Sequence, residues 1–144
     1  MCTRVFWNDN PIAKVASRCM DWEVSDEPEL WFYPRGLDRS GGTQPDAATW
    51  KSLHSSVGLS MWNVGTSDGM NEKGLAAHAL FLDDIHPPTD TGAATITIAM
   101  WAQYVLDRFA SVAEVLEHLG EVQLIAPPIR GQYIGAHLAL EDPS

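Results

Sequence analysis

Two extended runs joined by a turn make up the stretch MCTRVFWNDNPIAKVASRCMDW, residues 1–22. Residues 2–7 are rich in β-branched and aromatic side chains, and residues 12–16 resume an extended pattern. Between them, residues 8–11 read Asn-Asp-Asn-Pro, which is typical of a turn. We therefore predict a β-hairpin whose second strand brings the end of this stretch back to its start.

Cys2 has the most reactive side chain of this hairpin. A small residue after Met1 favours removal of that methionine, which would leave a thiol and a free α-amine on one residue. The reference pKa is about 7.7–8.0 for an α-amine and about 8.5 for a thiol, so an amine accepts a thiol proton near neutral pH with little penalty. The sequence therefore predicts a nucleophile that carries its own base.

Two charged side chains, Arg18 and Asp21, would return to Cys2 on the second strand of the hairpin. A guanidinium near the thiol favours the thiolate, and a carboxylate near the α-ammonium orients it. The same residues have a plainer interpretation. A Cys near a terminus is often only a small buried or solvated residue, and an Arg and an Asp three positions apart often form a surface ion pair.

The remaining elements are predicted from their spacing. Strands are expected at residues 30–33, in the apolar run 74–82, and later at 122–126 and 136–140, with loops rich in small polar residues at 39–47 and 63–73. Apolar residues recur every three or four positions over 95–109, which predicts an amphipathic helix, and Ser111 with Glu114 forms a capping-box signature for a second one. Strands followed by a helix pair and more strands indicate an α+β fold.

Four motifs in sequence order resemble one enzyme family. They are MCTR at residues 1–4 with ASRCMDW at 16–22, FYPRG at 32–36, RSGG at 39–42 and DGMNEKGL at 68–75. Together they resemble the choloylglycine hydrolase and penicillin V acylase family of N-terminal nucleophile hydrolases. The resemblance covers the whole chain, which is similar to the first half, or slightly less, of a typical member.

The resemblance implies a fold and a domain organisation. Family members form a four-layer αββα sandwich, in which two antiparallel sheets lie face to face with helices outside. Residues 1–144 would then be the N-terminal portion of a single domain, without an internal boundary, and would contribute strands to each sheet and one helix pair.

The resemblance also implies acyl transfer to Cys2. Its thiolate would attack the carbonyl of a linear amide, the α-ammonium would protonate the leaving amine, and water activated by the same amine would hydrolyse the thioester. Asp21 would hold the amine and Arg18 would favour the thiolate. The backbone N–H of Phe81 would be one oxyanion donor. A second donor, an Asn, and a further active-site Arg of the family are expected beyond Ser144.

Trp22 and Phe81 are the candidate substrate-binding residues. Trp22 directly follows Asp21, so its ring should lie within a side-chain length of the reacting centre and line an apolar acyl pocket. A Trp at position 22 is similar to the Gram-negative penicillin V acylases. Phe81 occupies a position at which bile-salt hydrolases usually have Asn. We therefore expect penicillin V or an N-acyl homoserine lactone as the substrate, with a conjugated bile salt as the alternative.

The composition limits the other partners. The formal net charge of −10 and the pI near 4.7 argue against nucleic acid and anionic membrane surfaces, and no run of apolar residues is long enough to span a membrane. The five histidines lack a metal-binding spacing, so no metal and no cofactor are expected, and we expect Cys2 and Cys19 to be free thiols. A small-molecule acyl amide is the expected partner.

A non-catalytic fragment is the competing interpretation. Such a chain would need a complementary C-terminal segment or would associate through exposed sheet edges, and the family resemblance also implies a homo-oligomer. No secretory leader is visible. We expect a cytoplasmic protein if Met1 is the natural start, and a periplasmic one if a leader has been removed.

Overall fold

The structure is a computed structural model that describes residues 2–21, 25, 27–82, 90–128, 131 and 133–144. Strands dominate this part of the chain, and two consecutive helices follow most of them, as the sequence predicts. In chain order the elements are β1 (Cys2–Trp7), β2 (Val15–Met20), β3 (Glu29–Tyr33), β4 (Asp38–Ser40), β5 (Thr49–Lys51), β6 (Ser56–Met61), β7 (Gly65–Asn71), β8 (Ala76–Phe81), β9 (Thr95–Thr97), α1 (Ile98–Arg108), α2 (Val112–Glu117), β10 (Gln123–Ile125) and β11 (Ala136–Glu141).

A five-stranded antiparallel sheet forms the centre of the described fold, with the strand order β11-β8-β7-β6-β3. Helix α1 packs on one face of this sheet, mainly on β7 and β8. The predicted hairpin is confirmed, with β1 antiparallel to β2 and Cys2 opposite Met20, but its second strand begins at Val15 and not at residue 12. Side chains of the hairpin reach β7, β8 and β11 on the face of the sheet that α1 does not cover. The sheet therefore lies between α1 and the hairpin.

Strand β7 corrects the expected loop at residues 63–73. Its Gly, Ser, Asp and Asn content resembles a loop, yet it is a central strand paired with both β6 and β8. The small residues are required by α1, because a Cβ atom on Gly69 would lie 2.6 Å from Cδ1 of Leu106, and one on Gly65 would lie 2.2 Å from the carbonyl oxygen of Ala99. The composition of β7 thus reflects how closely the helix approaches the sheet.

The helix predicted over residues 95–109 is shorter at its start. Residues 95–97 form β9, which pairs in parallel with β10, and the carbonyl of Thr95 accepts a hydrogen bond of 2.8 Å from the N–H of Ala48. Ile96 is fully buried there. Long-range pairing and burial therefore override the helical periodicity of these three residues, and α1 begins at Ile98.

The second helix begins where its capping signature predicts. The hydroxyl of Ser111 accepts a hydrogen bond of 3.2 Å from the N–H of Glu114. The carboxylate of Glu114 in turn accepts one of 2.8 Å from the N–H of Ala110, one residue before the cap. The reciprocal pair satisfies backbone donors at the start of α2 that have no partner within the helix.

Asn71 joins the end of β7 to the end of α1. It is buried, and its side-chain amide donates hydrogen bonds of 2.9 Å to the carbonyl of Leu106 and 2.8 Å to that of Phe109. Its side-chain oxygen accepts from the N–H of Leu75 at 3.1 Å. The last carbonyls of a helix lack partners within the helix, so Asn71 satisfies them and fixes the helix end to the sheet.

The larger core cluster packs α1 and α2 against β5, β9 and the residue that precedes β8, and a smaller cluster packs α1 on β8. A buried carboxylate lies near the end of α1. Asp107 of α1 is fully buried and accepts hydrogen bonds of 2.8 Å from Nε1 of Trp50 and 2.7 Å from Nε2 of Gln103. Nε of Arg39 is 3.3 Å away. Because Arg39 belongs to β4, the loop expected at 39–47 begins only after residue 40. The core cluster consists of Ala48, Trp50, Leu75, Ile96, Tyr104, Val105, Phe109 and Val115.

We predict that Gly69→Ala destabilises the protein by about 1–3 kcal/mol, because the new methyl group would overlap Leu106 and the carbonyl oxygen of Val57, 2.8 Å from its position. Gly120→Ala is the matched control, since no atom lies within 4 Å of a Cβ at this residue. Urea unfolding measures both free energies. A Gly69→Ala protein as stable as the Gly120→Ala protein would contradict the close approach of α1 to β7.

Candidate active site

A mainly apolar pocket opens where the hairpin meets the central sheet. It contains three of the residues predicted for the active site: Cys2, Arg18 and Phe81. Cys2 and Arg18 come from the two strands of the hairpin, and Phe81 is the last residue of β8. The apolar part of the wall is formed mainly by Met20, Met61, Val64, Ile98 and Ile134.

The register of the hairpin brings Arg18 to Cys2. Cys2 lies opposite Met20, and Arg4 lies opposite Arg18. Side chains alternate along a strand, so these four residues share one face of the hairpin. Nη2 of Arg18 is 4.0 Å from Sγ of Cys2 and also donates a hydrogen bond to the carbonyl of Ala79 in β8. The guanidinium of Arg18 therefore lies beside the thiol of Cys2.

The other predicted residues differ in how the structure places them. Asp21 directly follows Met20, the partner of Cys2, so its backbone is next to the start of β1. Phe81 pairs with Ala136 of β11 at the pocket wall. Trp22 lies outside the described residues. Cys2 and Cys19 are both free thiols, as expected, and Cys19 is exposed on the opposite face of the hairpin.

A tight turn between β6 and β7 forms part of the pocket rim. The N–H of Val64 donates to the carbonyl of Met61 at 2.9 Å, and the two central residues, Trp62 and Asn63, have φ angles of 48° and 54°. Two left-handed residues in a hairpin turn are the pattern of type I′, which Gly and Asn usually occupy. Trp62 adopts this conformation without glycine, and it lines the pocket.

Behind Arg18 lies a chain of ionisable side chains, which we call the charge ladder: Arg18, Asp68, His78, Glu141 and Arg4. Nε of Arg18 is 3.3 Å from Oδ1 of Asp68, and Nδ1 of His78 is 2.8 Å from the same oxygen. Nε2 of His78 is 2.8 Å from Oε1 of Glu141, whose other oxygen pairs with Arg4. The four side chains other than Arg4 are at most 12% exposed, and that of Arg4 is 22% exposed. The ladder thus joins the hairpin to β7, β8 and β11.

His78 lies at the centre of this ladder. Its pKa is raised above the ordinary value, chiefly by the hydrogen bond to Asp68 and further by the charges of Glu141 and Asp68, while burial opposes the shift. Ionised carboxylates only accept hydrogen bonds, so a ring that contacts one on each nitrogen must donate from both. The two contacts therefore fit the imidazolium form of His78.

Four members of the ladder were not predicted from the sequence. Arg4 belongs to the MCTR motif and Asp68 to the DGMNEKGL motif, but no role was predicted for either. His78 interrupts the apolar run 74–82, and Glu141 ends the last strand. An ionisable residue inside an apolar strand is the one signal that pointed to buried pairing, since such residues are rarely buried without a partner.

A metal centre and a membrane-spanning helix are two other classes of feature. Within the described ranges, no group of three or more His, Cys, Asp or Glu residues is arranged to hold a metal ion. Neither helix of the described part has the length and apolarity needed to cross a membrane.

Comparisons with known proteins agree with the four motifs. The family described as linear amide C–N hydrolases, choloylglycine hydrolase family, matches residues 2–144. A penicillin V acylase from Pectobacterium atrosepticum is 38% identical over 157 residues, covering 99% of this chain and 42% of that protein. The resemblance predicted from the sequence is thereby confirmed.

Solved structures confirm the fold class. The structure of penicillin V acylase from Agrobacterium tumefaciens has a TM-score of 0.85 and 36% identity, with 99% of this chain and 43% of that chain covered. A C2A mutant of conjugated bile acid hydrolase from Clostridium perfringens has a TM-score of 0.80 at 22% identity, with coverages of 99% and 45%. The chain therefore spans less than half the length of these relatives.

We predict that the stabilising effect of His78 depends on pH. Because its folded-state pKa is raised, its contribution to stability is fully present below the ordinary value of about 6.5 and is lost as the pH rises through the raised value. Urea unfolding at about pH 5.5 and about pH 8.5 should show a larger loss of stability on His78→Gln at the lower pH. His137→Gln is the control, because His137 is exposed on β11. An equal loss of stability at both pH values would contradict an imidazolium form of His78 between the two carboxylates.

Proposed function

This chain belongs to the choloylglycine hydrolase family of linear amide C–N hydrolases, and from that premise we propose that it carries the nucleophile of such an enzyme. The nucleophile is the thiol of Cys2, with the α-amine that removal of Met1 exposes as its base. The observation that carries the proposal is the position of Sγ of Cys2 in an apolar pocket, 4.0 Å from the guanidinium of Arg18.

The proposed reaction has two acyl-transfer steps. The α-amine takes the thiol proton, Sγ of Cys2 bonds to the amide carbonyl carbon, and the carbonyl oxygen becomes an oxyanion. The C–N bond then breaks as the α-ammonium gives its proton to the leaving nitrogen, which leaves a thioester. Water attacks this thioester while the amine removes a proton from the water. The C–S bond then breaks, and a carboxylic acid is released.

The neighbouring residues support these steps in different ways. Arg18 stabilises the negative sulfur, and Asp21 orients the α-ammonium. The backbone N–H of Phe81 is the proposed oxyanion donor. Removal of one such donor slows a protease by a factor of about 10²–10³, so a site with half of its donors is a much weaker catalyst.

The proposed substrates have an apolar acyl group. The pocket wall beside Cys2 is formed by Met20, Met61, Ile98 and the ring of Phe81, with few polar groups. A phenoxyacetyl group or a fatty acyl chain fits such a lining, and a relative with 38% identity is a penicillin V acylase. We therefore propose penicillin V and N-acyl homoserine lactones as the substrate class, in preference to conjugated bile salts.

A second proposal concerns completion of the active site. The face of the central sheet that carries Asp68 and His78 also carries exposed apolar side chains. These are Leu30, Phe32, Val57, Leu59 and Met70, which are 37–73% exposed. The chain matches only 42% of the Pectobacterium acylase. We propose that a complementary C-terminal segment covers this apolar face and supplies the second oxyanion donor. A second copy of the chain is the alternative occupant, in line with the homo-oligomer that the family resemblance implies.

We predict that the chain fused to the part of the Pectobacterium acylase beyond its match releases phenoxyacetate from penicillin V, as measured by liquid chromatography. Without this second part, the folded chain should be slower by a factor of at least about 10² because an oxyanion donor is absent. Mass spectrometry should first confirm that Met1 has been removed.

Two single substitutions in the fusion test the nucleophile. Cys2→Ala should abolish release, whereas Cys19→Ala should retain it, because Cys19 is exposed on the other face of the hairpin. Full activity of the Cys2→Ala fusion would refute the proposed nucleophile. In the same assay, a higher kcat/KM for glycocholate than for penicillin V or an acyl homoserine lactone would refute the proposed substrate class.

A further inference from the structure

The charge ladder places five ionisable side chains next to one another in a largely buried part of the protein. Removing a charge from water is unfavourable unless partners with good geometry replace the water. Each inner member of the ladder contacts two others, and both ends are guanidiniums of the hairpin. One of these ends, Arg18, is the residue that reaches the thiol of Cys2.

We propose that Asp68, His78 and Glu141 are positioning residues for the candidate active site: through the ladder they hold the guanidinium of Arg18 beside the thiol of Cys2. None of the three needs to touch a substrate for this role. The inference rests on the proposed role of Cys2 as the nucleophile, and it adds the residues that make Arg18 effective.

The geometry at Arg18 explains how a distant residue fixes its position. The guanidinium has two contacts with the sheet: Nη2 donates a hydrogen bond to the carbonyl of Ala79 in β8, and Nε forms an ion pair of 3.3 Å with Oδ1 of Asp68 in β7, without a hydrogen bond. An arginine side chain has many rotamers, and holding it in one of them has an entropic penalty. Two contacts from adjacent strands restrict these rotamers and leave Nη2 4.0 Å from Sγ of Cys2.

His78 sets the direction of the carboxylate that faces Arg18. Its Nδ1 and the Nε of Arg18 converge on the same oxygen, Oδ1 of Asp68. Its other nitrogen is anchored by Glu141, which in turn pairs with Arg4. The ladder therefore connects β7, β8 and β11 behind Arg18. It also links the two strands of the hairpin to the same sheet.

The sign of one substitution separates positioning from simple charge balance. If Asp68 only offset the charge of Arg18, its neutralisation would leave a stronger positive field near Cys2 and make the thiol more reactive. If Asp68 holds Arg18 in place, its neutralisation would let the guanidinium move away and make the thiol less reactive. The two mechanisms thus predict opposite effects.

The experiment measures alkylation of Cys2 by iodoacetamide at about pH 7 in the chain without Met1. Mass spectrometry of peptides gives the rates for Cys2 and Cys19 in the same molecule, so exposed Cys19 is the internal reference. We expect Asp68→Asn to lower the ratio of the two rates about tenfold, as loss of an opposite charge within 4–6 Å does. Asp38→Asn is the matched control, because Asp38 pairs with Lys51 at the surface and should leave the ratio unchanged. An unchanged or higher ratio in Asp68→Asn overturns the proposal.

Two further variants exclude a merely structural effect. In an Arg18→Leu background, Asp68→Asn should cause no additional fall in the ratio, because Asp68 acts through Arg18. Asp68→Glu keeps the charge, so this variant should retain most of the wild-type ratio of the alkylation rates of Cys2 and Cys19. A further fall of about tenfold in the Arg18→Leu background would overturn the proposal.

His78→Gln keeps the test decisive if Asp68→Asn fails to fold. This substitution leaves Arg18, Asp68 and Glu141 in place. It removes the ring that donates to the two carboxylates. We expect it to lower the ratio at least about threefold, in the direction expected for Asp68→Asn, and a ratio equal to that of the wild type overturns the proposal. Alkylation needs no substrate, so this result is independent of penicillin turnover, and either proposal is able to fail alone.

Discussion

The alternation of side chains along β7 is the constraint on which the rest of the structure depends. Gly69 faces α1 and leaves room for Leu106, while the adjacent Asp68 faces the hairpin and pairs with Arg18. Because the side chains of a strand alternate, a shift of one residue would put a carboxylate against the helix and a glycine behind the guanidinium. One strand therefore sets both the packing of the core and the charges behind Cys2.

The two faces of the central sheet use different kinds of interaction. On the α1 side, contacts are close and mainly apolar, and the buried polar groups of Asn71 and Asp107 are fully used to fix the helix. On the hairpin side, ion pairs and hydrogen bonds connect Arg4 and Arg18 to the sheet. Apolar packing has no preferred direction, whereas hydrogen bonds between charged groups require a defined distance and angle. The hairpin is thus held to the sheet mainly by contacts between charged groups.

Sequence reasoning predicted the parts of this molecule that depend on neighbours in the chain. The hairpin and the approach of Arg18 to Cys2 depend on a turn and a register within twenty residues, and both were visible in the sequence. Strand β7 was wrongly expected to be a loop, because its small residues serve a helix that lies more than thirty residues later. The contact of His78 with Glu141 joins residues 63 positions apart, and no local pattern encodes it. The roles of Cys2, Asp21, Phe81 and Trp22 stay predictions.

The buried ion pairs also determine where the negative charge of the protein resides. Arg4, Arg18 and Arg39 lie inside with Asp68, Asp107 and Glu141, so their formal charges cancel. The formal net charge of −10, which counts every histidine as neutral, therefore belongs to the remaining residues. Mutual repulsion between two such molecules weakens as ionic strength rises, because dissolved ions screen exposed charges over about 8–10 Å. Any association through the exposed apolar face of the sheet should accordingly strengthen with salt, while the buried ladder is largely insensitive to it.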